Sequence, residues 1–538
     1  MILVWLIVIP FIGGLLCWQA ERLGDRPTRW IALATMLIEL VISLWLWARL
    51  DFQLPALDGT ATRWALEYRV AWIERFGIDF HLALDGLSLV LIVLTGFLGV
   101  LAVLCSWKEI VRRIGFFHLN LLWILAGVVG VFLAIDLFLF FFFWELMLVP
   151  MYFLIALWGH SGSKGRTRIG AATKFFIYTQ ASGLLMLVSI LGLVFAHYAS
   201  TGEYSFSYQV LLETTLSPTL SRWLMLGFFI AFAVKLPVVP LHGWLPDAHA
   251  QAPTAGSVDL AGILLKTAAY GMMRFALPLF PEASQAFAPV AMGLGLLGIY
   301  YGALLACGQQ NVKRFIAYTS IAHMGFVLIG IYSGSPLALQ GVVVLMLAHA
   351  FSAAGLFILS GQLYERLHTR EFARMGGLWG RLGSLPGFWL FFIAASLGIP
   401  ITANFVGEFM VLFGTFPTAP WVVVIASFGL VLAAIYSLIL MQKVHYGPPR
   451  SETPLSGLDA REFAMMLSIV ALLIWLGIYP QPLLDTTAAT MGEVHRLFET
   501  SGAALREIAV PGAAVPEAAV SGTTTGPGAA ITLMPEAR

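Results

Sequence analysis

Apolar runs close to the length of a bilayer crossing recur along almost the whole chain, and no other feature constrains its fold as strongly. A helix needs roughly 20 predominantly apolar residues to span the hydrocarbon layer. Such runs fall near residues 1–19, 29–48, 83–107, 115–133, 134–157, 174–197, 219–245, 253–276, 286–307, 314–334, 338–361, 385–414, 420–441 and 462–480. The pattern predicts an all-α polytopic membrane protein with about 14 transmembrane helices. Its faintest seam lies between the fourth and fifth runs, where Asp136 is the only polar interruption. Charge scarcity agrees: Asp, Glu, Lys and Arg make up 11% of the 538 residues, against about 25% in an ordinary soluble domain. A net charge of +1 gives no case for nucleic acid as a partner. Cys17, Cys105 and Cys307 sit singly inside apolar runs, and no glycine-rich phosphate loop occurs. The sequence therefore shows no redox, metal or nucleotide machinery.

Orientation follows from the cations. Nineteen of the 30 Lys and Arg residues fall in loops after odd-numbered runs and six in loops after even-numbered ones. By the positive-inside rule the odd loops are cytoplasmic and both termini lie outside, on the periplasmic side of a bacterial membrane. The first run has no positive residues ahead of it and reads as a retained helix rather than a signal peptide. The expected layout is N-terminal helices over 1–110 with an extracytoplasmic loop at 49–82, five-helix sets over 115–276 and 286–441, a final helix at 462–480 and a flexible tail over 503–538.

A charged side chain near the bilayer centre costs about 2.5–3.5 kcal/mol on insertion scales, so it usually marks a pathway or a pair. At a rise of about 1.5 Å per residue, Glu145, Lys235, Lys266, His323 and His349 all fall in the middle third of their spans. Five titratable groups at one depth predict a row in the membrane plane, the alternative for each being an interhelical pair. Lysine suits proton loading because burial disfavours its charged form and a carboxylate favours it, whereas arginine stays protonated. Pro237, Pro240 and Pro246 predict a broken helix near 235–246, and Leu397-Gly398-Ile399-Pro400 a second near 397–401, shortly before Glu408. Interrupted helices at mid-membrane are a transporter feature. The two breaks occupy corresponding places in the five-helix sets, and an odd number of crossings makes such repeats inverted. Among weaker signals, Asp259 precedes Lys266 by seven residues and is a candidate for a secondary proton path. His242, Asp247 and His249 are expected to satisfy backbone groups freed by the first break. Lys174 stands at a cytoplasmic mouth or snorkels, Glu39 is a packing carboxylate, and Asp85 caps a helix start.

At these residues the chain resembles the antiporter-like membrane subunits of respiratory complex I. The resemblance rests on Ala231 to Pro237, His242 to His249, Ala252 to Val258 with Leu264-Leu265-Lys266, and Phe143-Trp144-Glu145-Leu146. It spans roughly 80–480. It implies a Glu145–Lys235 ion pair, Lys266 as the central proton carrier, His323 and His349 continuing a hydrated axis, and Glu408 near the exit. Glu408 stands where L- and N-like siblings carry lysine. Such siblings would be the neighbours on either side, together with lipids, and the long lateral helix of the L-like subunit is not expected here. The resemblance further implies that FMN, iron–sulfur clusters and quinone belong to other subunits, this chain holding none. Two alternatives stay open: a subunit of a multisubunit sodium/proton antiporter, or of an energy-conserving membrane hydrogenase.

Overall fold

The computed structural model describes residues 1–52, 64–161, 167–448 and 455–509, with side chains as far as Glu499. Part of the 49–82 loop, the loop cations Arg63, Lys164, Arg166 and Arg450, and the tail beyond 509 lie outside the described residues. Twelve described helices are long and apolar enough to cross a membrane. Two further crossings are assembled from shorter pieces. The seventh consists of Pro218–Lys235 and Leu245–Gln251, and the twelfth of Leu385–Ser396 and Ala403–Thr415. Fourteen crossings result, and the faint seam holds: Ile114–Leu133 ends before Asp136, whose carboxylate accepts from Leu139 N at 3.0 Å and starts the fifth crossing. Each five-helix set carries its interruption in its fourth member.

An antiparallel hairpin, Leu66–Ile73 with Ile78–Leu84, is the one described sheet. It gives the predicted extracytoplasmic loop its local structure and ties to the fifth crossing through Asp79 N and the Asp136 carboxylate (3.1 Å). Asp85 then caps the third crossing, Gly86–Glu109, accepting from Ser88 N at 2.8 Å as expected. Asp85 also forms a buried ion pair with Arg274. Arg274 is thus a partnered residue of the eighth crossing and not a loop cation. Lys313, likewise counted with the loops, is buried at the start of Val312–Tyr332 and donates to the Ala252 carbonyl at 2.9 Å.

The largest element the sequence reading missed is Gln481–Ala509, an amphipathic helix after the last crossing. Its buried residues Leu483, Thr487, Met491, Val494 and Phe498 recur every three or four positions, which is the helical signal. Thr490 Oγ1 reaches Asp85 Oδ2 at 3.1 Å and Trp47 Nε1 donates to Thr486 Oγ1 at 2.9 Å. The helix therefore lies across the ends of the third, eighth, ninth and eleventh crossings. The expected tail at 503 is helical as far as 509.

Lipid tails are as apolar as leucine, so membrane helices are held by close packing and small residues at their contacts. Ala403–Thr415 packs in this way on the eleventh crossing, Pro336–Leu367. A methyl group at Gly407 would stand 2.7 Å from the Leu345 Cα and N, which are backbone atoms that cannot swing aside. Gly407→Ala should therefore lower the stability of the chain by about 1–3 kcal/mol and pull the adjacent Glu408 off its partner. Thermal unfolding of the purified complex and a proton-pumping assay check this, and unchanged values in both would refute it.

Candidate functional site

Four of the six expected site residues form one connected row. The eighth crossing begins as Thr254–Asp259, opens into wide π turns at Leu260–Leu264, and continues as Leu265–Gly271. A π turn leaves carbonyls poorly committed to the ladder and is frequent at functional sites. Here Lys266 Nζ donates to the Ala261 carbonyl at 2.5 Å and lies 2.7 Å from His349 Nδ1 on the eleventh crossing. The His349 and His323 rings stand 5.6 Å apart, centroid to centroid. His323 Nδ1 is 3.0 Å from Glu408 Oε1, and its Nε2 is 3.3 Å from the Tyr436 hydroxyl. All five side chains are buried.

The second helix break makes room for the end of this row. Gly398 sits in it with φ 77°, a backbone conformation that other residues rarely adopt. A methyl group there would lie 2.7 Å from Glu408 Oε2. The break thus brings open backbone up to the carboxylate that His323 holds from the other side.

Glu145 and Lys235 do not form the expected ion pair. Lys235, the last residue of its half-helix, lies with its Nζ 3.5 Å from the Trp144 ring centroid and 3.6 Å from Met147 Sδ. A desolvated cation on an indole face gains about 2 kcal/mol or more, which explains why the ammonium can rest there. Glu145 is half-buried one residue further along the fifth crossing, with Gln180 beside it and the bare face of Gly183 against Oε1. The fifth crossing is itself jointed at Met147, between Leu137–Leu146 and Leu148–Trp158. The two groups are neighbours without a direct bond, and no direct bond joins Lys235 to Lys266 among the described residues.

Backbone groups at the first break are satisfied only in part as expected: His242 hydrogen-bonds the Pro240 backbone, and other groups do the rest. Trp244 Nε1 donates to the Val234 carbonyl at 2.8 Å, and Val238 N to that of Ala233 at 2.8 Å. Asp247 is instead ion-paired with Lys174 (2.7 Å) and with Arg314, so Lys174 neither snorkels nor stands free. The His242 ring packs edge-on against Tyr301, and the His249 ring stacks on Phe357 at 4.4 Å. Asp259 is fully buried with neither oxygen hydrogen-bonded and makes no contact with Lys266 of the kind His349 makes. Glu39 is likewise buried without a hydrogen-bond partner. Sequence reasoning missed Tyr436, Trp144 and Met147. Tyr436 sits in an apolar run with only Ser437 beside it, a faint signal, while Trp144 adjoins Glu145 and its cation-binding face could have been weighed.

Comparison with known proteins identifies the family. Residues 134–433 match the model of the family described as NADH:quinone oxidoreductase/Mrp antiporter, membrane region. NADH-quinone oxidoreductase subunit M of Pseudomonas aeruginosa is 65% identical over 95% of this chain and 100% of its own length. The Escherichia coli protein of the same name is 62% identical over 94% of this chain and all of its own length. A chain of respiratory complex I from Thermus thermophilus superposes with a TM-score of 0.81 at 28% identity, covering 92% of this chain and 99% of that one. A chain of the Mrp complex from Dietzia, at 19% identity, shares the fold with a TM-score of 0.77 over 93% of this chain and 97% of its own. The chain belongs to the NADH:quinone oxidoreductase/Mrp antiporter family of membrane subunits, and within it to the M subunits.

Proposed function

We propose that this chain carries protons across the membrane arm of an NADH:quinone oxidoreductase along the row Lys266–His349–His323–Glu408. A row across four helices carries this reading: Lys266 is hydrogen-bonded to His349, His323 to Glu408, and the two histidine rings pack on each other at 5.6 Å. Each member can take and release a proton, as a buried relay requires. Glu145 and Lys235 act as the switch at the near end. Lys235 has two resting places, the Trp144–Met147 cradle and the Glu145 carboxylate, and Trp144 and Glu145 are adjacent residues, so a short swing exchanges them. Moving that charge changes the electrostatic cost of a proton on Lys266.

Glu145, only partly buried, is where a neighbouring subunit acts in this scheme, the expected neighbours being L- and N-like antiporter subunits. On this reading FMN, iron–sulfur clusters and quinone belong to other subunits, and both termini face the periplasm. Subunit M relatives over the full length favour this over a stand-alone sodium/proton antiporter.

Glu145→Gln and Lys235→Met in the assembled enzyme test the switch. Each should cut NADH-driven proton pumping and coupled quinone reduction at least about tenfold while leaving assembly intact. Wild-type pumping in both would end the scheme.

A further inference from the structure

On the face that carries most of the chain's cations, the turn between the third and fourth crossings meets the end of the fifth and the start of the sixth. They enclose a cavity of about 540 Å³ whose lining includes Arg112, Arg113, Arg168, Trp158, His160 and Glu109. None of these belongs to the proton row. The three arginines are exposed. Among the described residues none of them is ion-paired with a carboxylate. Glu109, the one carboxylate of the lining, is already engaged, its two oxygens accepting from Thr254 N at 3.0 and 3.2 Å. The site therefore holds uncompensated positive charge. His160 in the lining has its pKa held down to about 3, by burial first and then by the charges of Arg370, Lys313 and Arg168, of which only Arg168 lines the cavity.

Cations that only orient a membrane protein need nothing more than water around them. These converge on a shaped cavity, and the backbone is bent to hold them there. Arg113 has φ 51° and ψ 49°, a left-handed conformation uncommon for a residue with a side chain. The turn is pinned by Trp158 Nε1, which donates to the Arg112 carbonyl at 2.8 Å. Trp158 ends the fifth crossing, at the level where indoles sit in the headgroup layer. Val111, 70% exposed, leaves an apolar tip beside the arginines.

We propose that this cavity seats the phosphate of an anionic phospholipid headgroup, with Arg112, Arg113 and Arg168 as its ligands. Guanidinium groups match phosphate oxygens in paired hydrogen bonds, and basic recesses between helices on the cytoplasmic side suit anionic headgroups. The exposed Val111 and the interfacial Trp158 supply apolar surface for the start of an acyl chain. This favours a lipid over free phosphate or an acidic protein segment.

The test uses the purified, assembled enzyme and a photoactivatable phosphatidylglycerol. Labelling should map to residues 107–117, 157–161 and 167–168 and be displaced by phosphatidylglycerol, but not by phosphatidylcholine or millimolar inorganic phosphate. The R112K/R113K/R168K variant, which keeps the charge but loses the paired hydrogen bonds, should label less than wild type and more than the glutamine variant. R112Q/R113Q/R168Q should lose it by about fivefold for each arginine removed. Labelling elsewhere only, equal displacement by phosphatidylcholine, or an unchanged glutamine variant overturns the proposal. Displacement by inorganic phosphate shows a free-anion site and overturns it too. So does a cross-link from Arg112→Cys to an acidic segment of a neighbouring subunit without lipid labelling. Should the glutamine variant fail to assemble, the wild-type map and competition decide.

Discussion

Lys266→Met in the assembled enzyme should abolish NADH-driven proton uptake into sealed vesicles, with a fall of at least about tenfold and little loss of folded complex. Methionine keeps most of the volume and the flexible stem of lysine, so packing alone predicts a mild effect. What disappears is the proton that Nζ holds between the Ala261 carbonyl and His349 Nδ1. Lys266→Arg separates charge from proton release. Arginine keeps a cation at the site but stays protonated. It should fail as well. An arginine variant that pumps at the wild-type rate would show that Lys266 supplies only a fixed charge.

His323→Ala should sever the row, because His323 alone joins the His349 side to Glu408. Pumping should drop by at least about tenfold. The buried Glu408 would lose its partner, at a cost of about 1–3 kcal/mol. His323→Gln distinguishes the two effects. An amide can hydrogen-bond Glu408 and restore stability, but it cannot carry a proton, so pumping stays lost. Tyr436→Phe removes only the hydroxyl at 3.3 Å from Nε2. It should change the rate by less than about threefold, since a single neutral hydrogen bond contributes about 1 kcal/mol or less. The comparison is made on vesicles matched for enzyme content. Full pumping in the glutamine variant would place the proton path elsewhere.

Much of this site was legible because depth along a helix is a local quantity. Counting residues at a fixed rise put Glu145, Lys235, Lys266, His323 and His349 at one level. Prolines 237, 240 and 246 and the Gly398-Ile399-Pro400 run marked the two places where the hydrogen-bond ladder fails. The Glu145–Lys235 pair illustrates the limit. Both groups were correctly expected close together, yet a residue's reach is shared among every acceptor around it. An aromatic face and a thioether won the ammonium in this state. Arg274 and Lys313 show the same thing at the membrane edge: counted as orienting cations, each proved to be buried and bonded to another crossing.

By itself the sequence determined the all-α polytopic fold, where two of its crossings break and which titratable residues lie inside the apolar helices. Each of these depends only on residue type and spacing along one helix. Tertiary structure alone decided that Lys266 faces His349, that His323 links it to Glu408, and that a helix after the last crossing straps the ends of its neighbours. The rotation of each helix about its own axis selects those partners. That rotation is set by close packing against several neighbours at once, as where Gly407 meets the backbone of Leu345.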